Sequence, residues 1–168
     1  YRSHPLTQQI TRRYMSALMH EATFGGLEHL RAAVDQGPCL LISNHLAYCD
    51  TQVTDQLLCQ HGASDIAQSI VAVAGPKVYE TAFRRMASAG RNTLKTAQSA
   101  VMDHNVAALS PREVGSIAIQ TVHRASELME AGQPILIYGE GARSRDGRLQ
   151  PFLKAVRKYA ALPNMQVV

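Results

Sequence analysis

The chain has 168 residues, 46% of them hydrophobic and 18% charged, which suits one folded domain and excludes a disordered segment. Its longest apolar runs, such as residues 39–42, fall far short of the ~20 needed to cross a bilayer. The net charge of +4 is concentrated: residues 143–158 hold six cations against Asp146 alone, while the remainder sums to −1. That distribution fits an anion site or a membrane-facing patch better than a nucleic-acid coat. Cys39, Cys49 and Cys59 form no Cys-x-x-Cys pair, so they read as reduced thiols, without a disulfide framework or a metal site. The expectation is a single domain over 1–168 with an N-terminal amphipathic segment, 1–22. The opening Tyr1 and the closing Gln166-Val167-Val168, an apparent strand cut short, suggest a portion of a longer chain.

In chain order, Leu6, Ile10, Tyr14, Ala17 and Leu18 recur at helical spacing and predict an amphipathic helix over roughly 5–21. With Arg12-Arg13 beside them that apolar face suits a bilayer surface, though packing against the domain is the readier use. A second helix runs from Leu27 to Val34 and closes at Gly37-Pro38. Residues 39–43 form a short buried strand with Asn44-His45 at its end. Asp50 or Thr51 caps the next helix, with Val53, Leu57 and Leu58 as its inner face. Residues 70–74 predict another strand, and Tyr79, Phe83, Met86 and Ala87 mark one face of a helix ending at Gly90. Residues 92–95 make a short strand, and a polar, irregular stretch extends to Ser110. Ser110-Pro111-Arg112-Glu113 is a capping box with proline at the first helical position. It opens a helix striped by Val114, Ile117, Ala118, Thr121, Val122, Ala125, Leu128 and Met129, which Gly132 ends. Residues 135–138 are a strand that runs directly into residues 139–148. Short, doubly apolar strands alternating with helices define an α/β fold with a largely parallel central sheet flanked by helices. Ligands gather at the carboxyl ends of such strands, where Asn44-His45 and the segment from Glu140 to Arg148 both fall.

An imidazole ordinarily titrates near ~6.5 and accepts a proton at neutral pH. His45 leaving a strand and Asp50 opening a helix have the spacing of a base and its orienter. No Gly-x-Ser-x-Gly supplies a nucleophile, so a substrate hydroxyl is what His45 would activate. The bland alternative is a capping aspartate beside a structural histidine. In the second cluster the glycines allow close backbone approach, and Arg143, Arg145 and Arg148 make a candidate phosphate clamp. A solvated basic turn at Asp146-Gly147 is the alternative. Glu140, kept ionised by the neighbouring arginines, suits holding an arginine or a substrate hydroxyl. Lys77, Arg84 and Arg85 read as surface more readily than as site. Tyr48 is evenly balanced between lining the pocket and lying outside it. His20, His29, His61, His104 and His123 share no ligand spacing.

Residues 44–50, Asn-His-Leu-Ala-Tyr-Cys-Asp, resemble the Asn-His-x4-Asp signature of the glycerolipid acyltransferases, and residues 138–145, Tyr-Gly-Glu-Gly-Ala-Arg-Ser-Arg, resemble their glutamate-glycine-threonine-arginine block. The similarity covers roughly residues 24–168. It implies an O-acyltransferase that moves a fatty acyl group from acyl-CoA or acyl carrier protein to a glycerol-phosphate type acceptor, in phospholipid biosynthesis. His45 would be the general base, Asp50 its orienter and Arg143 the phosphate ligand, with Asn44, Glu140, Gly141 and Arg145 shaping the pocket. Residues 74–78 and 83–95 resemble the stretch carrying further acceptor contacts, which points to Lys77, Arg91 and Lys95. Ala142 and Gly139 stand where threonine and proline are usual, and Thr96 where an arginine often is. The implied reaction uses no metal and no cofactor beyond the thioester co-substrate. Aromatics at 5% and the absence of Trp leave little for base stacking and speak against a nucleic-acid partner. The reduced thiols suit a cytoplasmic protein, with peripheral contact to the inner membrane face as a further expectation. Two alternatives stay open: an acceptor without phosphate, and a non-catalytic module binding anionic lipid through the basic patch. Hydrolysis of the thioester is a third.

Overall fold

The computed structural model describes residues 2–19, 21–97 and 109–168. The irregular stretch expected before Ser110 lies largely outside them, as do His20 and His104. Five strands, β1 (Cys39–Ser43), β2 (Val71–Ala74), β3 (Asn92–Lys95), β4 (Ile135–Tyr138) and β5 (Gln166–Val167), pair in the order β3-β2-β4-β1-β5. Every pairing is parallel. Around the sheet lie α1 (Pro5–Leu18), α2 (Leu27–Gln36), α3 (Asp50–Gln60), α4 (Ser64–Ser69), α5 (Ala82–Ala89), α6 (Pro111–Glu130) and α7 (Val156–Tyr159). The α/β fold with a parallel central sheet is therefore as the alternation of elements requires.

Successive strand residues point to opposite faces, and the core divides accordingly. Leu41, Ala72 and Leu136 pack with Leu30 and Ala33 of α2, Leu58 of α3, and Ile66 and Ala67 of α4. Leu40, Val71, Ile135 and Ile137 pack with Ala125, Leu128 and Met129 of α6 and with Tyr159 of α7. A strand covered on both sides has no solvent face to make polar, which is why the three central strands, β1, β2 and β4, read as apolar runs. The capping box forms as predicted: the Ser110 hydroxyl accepts the Glu113 amide at 3.3 Å, and Glu113 accepts the Ser110 amide at 2.7 Å.

Three helical faces differ from expectation. Helix α1 does pack on the domain, but it turns Thr11 and Met15 inward and leaves Leu6, Ile10, Tyr14 and Leu18 between 47% and 60% exposed. Polar bonds decide this orientation. Arg12 grips Asp55 of α3 with two bonds, at 2.7 and 2.9 Å. The His4 amide donates to the Ala89 carbonyl at 2.7 Å, and a Cβ at Gly90 would stand 2.9 Å from the Thr11 hydroxyl. The inner face of α3 is correspondingly polar, with Gln52, Asp55 and Gln56 buried beside Leu58 and with Val53 and Leu57 only half-buried. The predicted 79–90 helix is interrupted: a single 3-10 turn, Pro76–Tyr79, precedes α5, whose N-cap Thr81 accepts the Arg84 amide at 3.2 Å. Phe83 and Met86 face outward. Helices α4 and α7, of 6 and 4 residues, carry too few turns to show a period in the sequence.

Candidate active site

Strand β4 lies between β1 and β2, and its register with β1 sets Ser43 opposite Tyr138. The two polar segments therefore leave the sheet side by side at its carboxyl edge. Two backbone–backbone bonds and one from a backbone amide to a carboxylate hold the two segments together. The Gly139 amide donates to the Ser43 carbonyl at 3.2 Å, the Ser144 amide to the His45 carbonyl at 2.7 Å, and the His45 amide to Glu140 at 3.4 Å.

His45 Nδ1 and Asp50 Oδ2 are 2.8 Å apart. Neither Asp50 nor Thr51 caps α3 in the expected way. Asp50 is the first helical residue, and its carboxylate reaches back across the loop to accept the Leu46 amide at 2.7 Å and the Ala47 amide at 3.0 Å. Burial by itself would raise the Asp50 pKa. The bonds from His45, Ala47 and Leu46 outweigh it, and the net shift is downward. Asp50 thus stays ionised, fixes the ring by Nδ1, and leaves Nε2 with no hydrogen-bond partner among the described residues.

Tyr138 completes the setting of the ring. It stacks on His45 with centroids 4.2 Å apart and planes 20° from parallel, and its hydroxyl is 2.8 Å from that of Thr51. Burial is the first reason the Tyr138 phenol is pushed well above its ordinary range, so the hydroxyl stays neutral. The sequence offers Thr51 only as a helix cap and Tyr138 only as the strand end that opens the second block, because the site role of each depends on β1 and α3 lying beside β4.

Arg143 is exposed, with its guanidinium carbon 3.9 Å from the Tyr48 ring centroid. Arg84, read from sequence as surface, lies over the same ring at 4.2 Å. Asn44 and Arg145 are exposed at this edge. Beyond Arg145 the loop is a turn tied by Asp146, which accepts the Ser144 hydroxyl and the Arg148 amide, each at 3.1 Å. Lys95, the last residue of β3, and Lys77, in the 3-10 turn after β2, also lie on the carboxyl side of the sheet. The Lys95 ammonium is 4.4 Å from the Tyr79 ring centroid.

Three expectations change. Arg91 precedes β3, so in a parallel sheet it belongs to the edge opposite the one His45 leaves. It is 5% exposed, ion-paired with Asp55 and bonded to Thr11 at 3.3 Å. Desolvation lowers its pKa to about 10, with Asp55 offsetting part of the effect. Its guanidinium joins α1 to α3 and does not open onto the site. Glu140 holds no arginine: it is 5% exposed, and its two oxygens accept the His45 amide and, at 3.0 Å, the Gln150 amide. It is a brace between two loops. The glycines of this block admit the chain itself at close range. A Cβ at Gly139 would stand 2.8 Å from the Phe152 ring, and one at Gly141, where φ is +70°, would overlap Leu153.

Side by side, an oriented imidazole with one open nitrogen and an exposed arginine pair can activate a hydroxyl and hold an anion. The family model described as Acyltransferase matches residues 21–168, and the chain belongs to that family, the glycerolipid acyltransferases. The protein is an acyltransferase. No curated protein matches the chain. The matched span begins after α1, and no helix among the described residues is long and apolar enough to cross a membrane.

Proposed function

We propose that this acyltransferase moves a fatty acyl group from a thioester, acyl-CoA or acyl carrier protein, to a hydroxyl of a glycerol-phosphate type acceptor. The observation that carries the reading is the His45–Asp50 bond with Nε2 open, beside the exposed Arg143. The acceptor hydroxyl gives its proton to His45 Nε2 as its oxygen bonds to the thioester carbonyl carbon. The C–S bond of the tetrahedral species then breaks, and the imidazolium returns the proton to the departing thiolate. The step needs no group beyond donor and acceptor, and no acyl-enzyme forms. Asp50 stabilises the imidazolium while it carries the proton.

Thiol release from acyl-CoA in the presence of glycerol 3-phosphate tests this. His45→Ala is expected to lower kcat on the order of 10²–10⁴-fold. A folded His45→Ala protein with near-full turnover removes His45 as the base. A panel of acceptors with and without phosphate separates the glycerol-phosphate reading from the unphosphorylated one, and thiol release without acceptor reveals hydrolysis.

A peripheral membrane location is part of the proposal. The outward row Leu6, Ile10, Tyr14 and Leu18 lies on a helix bearing exposed Arg13, with Arg2 before it and no acidic residue. That combination suits the surface of an anionic bilayer. Co-sedimentation with phosphatidylglycerol vesicles, lost at high salt and in an Ile10→Gln/Leu18→Gln protein, is the expected result. Failure to sediment would remove the membrane from the reading.

A further inference from the structure

We infer that Arg84 and Arg143 together form the seat for the acceptor's phosphate monoester, with Tyr48 holding the two cations in place. The inference rests on the proposed acceptor class and extends it to Arg84, outside both sequence blocks, and to Tyr48, which lies between His45 and Asp50.

The seat draws on three separate elements. Tyr48 comes from the loop between His45 and Asp50, Arg143 from the segment after β4, and Arg84 from the first turns of α5. Both guanidinium carbons lie within 4.2 Å of one ring centroid, so they stand at most about 8 Å apart, each attracted to the ring face. Two like charges so close repel each other, and among the described residues only Glu80, 3.0 Å from Arg84 Nη1, offsets either. Arg84 Nη1 also donates to the Lys77 carbonyl at 3.1 Å, while Nε and Nη2 have no partner among the described residues. Arg143 has no hydrogen bond or ion pair among them. The main chain of Arg84 is fixed by the Thr81 cap. The arrangement thus fixes two cations and leaves most of their donors open. A phosphoryl dianion with three terminal oxygens accepts from two such forks at once.

The donor's phosphates have the same chemistry, and distance along the substrate decides between them. The acceptor's phosphorus is a few bonds from the hydroxyl that must meet His45, and Tyr48 is the third residue after His45. In CoA the whole pantetheine arm separates the thioester from the phosphates. A phosphate held at Tyr48 is therefore the acceptor's.

Steady-state kinetics of the full chain test the seat, with palmitoyl-CoA as donor and either glycerol 3-phosphate or glycerol as acceptor. Losing one charge-assisted fork costs on the order of tenfold in binding. Arg84→Ala is therefore expected to raise the glycerol 3-phosphate KM about tenfold and to lower the preference for the phosphorylated acceptor by the same factor, with the donor KM nearly unchanged. Arg84→Lys, which keeps the charge without the planar fork, should restore only part of the preference. Arg85→Ala removes a neighbouring cation bonded to the Tyr79 and Glu80 carbonyls and should leave the preference intact. An unchanged acceptor KM in Arg84→Ala overturns the inference, and so does a rise in donor KM alone or an equal loss in Arg85→Ala. Calorimetric titration with glycerol 3-phosphate keeps this result apart from the reaction itself. Binding that Arg84→Ala abolishes, in a protein without transferase activity on that acceptor, upholds the seat and rejects the proposed reaction. Absence of binding in the unsubstituted protein rejects the seat.

Discussion

Arg91 and Arg143 carry the same guanidinium on opposite edges of one sheet. Arg91, ahead of β3, is sunk between α1 and α3 and shares Asp55 with Arg12. Arg143, beyond β4, lies in solvent against an aromatic ring. In a parallel sheet the residue before a strand and the residue after one end up on opposite rims, and only the carboxyl rim is open to a ligand. The buried cluster sets two cations on one carboxylate, closed off from solvent, and holds a helix in place. The exposed one leaves its charges for something outside the chain. An arginine's role therefore follows from which end of a strand it adjoins and whether an acid meets it there.

The sharpest way to break this contrast is Asp55→Ala. It leaves two arginines facing each other in a buried position, and breaking such a pair costs about 3–5 kcal/mol. Urea denaturation is expected to show that loss, with the KM values of the folded protein unchanged. A large change in acceptor KM instead would put Arg91 back at the site.

On the site side, Asp50→Asn is expected to lower kcat by on the order of 10²-fold or more, since an amide neither fixes the same tautomer nor offsets an imidazolium. It should also alter acid stability. The Asp50 pKa is depressed in the folded protein relative to the ordinary 3.8. The stability it contributes is therefore full above that value and is lost as pH falls through the lower folded one. The Asp50→Asn protein should lack that portion of the slope in acid-induced unfolding; an identical slope would mean that Asp50 gains nothing from its partners.

Tyr138→Phe is a smaller test. It keeps the ring on His45 and removes the bond to Thr51, at about 1 kcal/mol, whereas Tyr138→Leu removes the stack as well and should disturb the kcat pH profile. If the two variants behave alike, the stack has no part in setting the imidazole. The smallest effect is expected for Leu18→Ser, within about 0.5 kcal/mol by thermal melting, because Leu18 is 59% exposed. A large loss there would mean that α1 buries the face read from the sequence.

Much of the site was legible in one dimension because its parts are local. His45 and Asp50 are five positions apart, and a strand end followed by a helix start leaves the chain few ways to pass between them. Glu140, Gly141 and Arg143 likewise follow a single strand. Each block could be read without its neighbour, and the family match over 21–168 covers both. Thr51 and Tyr138 were not legible, since their contact needs α3 and β4 side by side. Arg84 reads as surface in the sequence because α5 shows an apolar face that turns out to point outward, and Arg91 reads as a site residue because charge alone does not say which edge it faces.

By itself, the order of apolar runs, caps and breakers determined the five strands, the longer helices and the α/β class, because those depend on periodicities of two and 3.6 residues within a few turns. The tertiary structure alone decided which face of α1 is inward. Helical periodicity identifies an apolar stripe but does not require it to be covered. Two bonds from Arg12 to Asp55 and a tight seat at Gly90 fixed the opposite face, through residues separated by some forty positions or more in the chain.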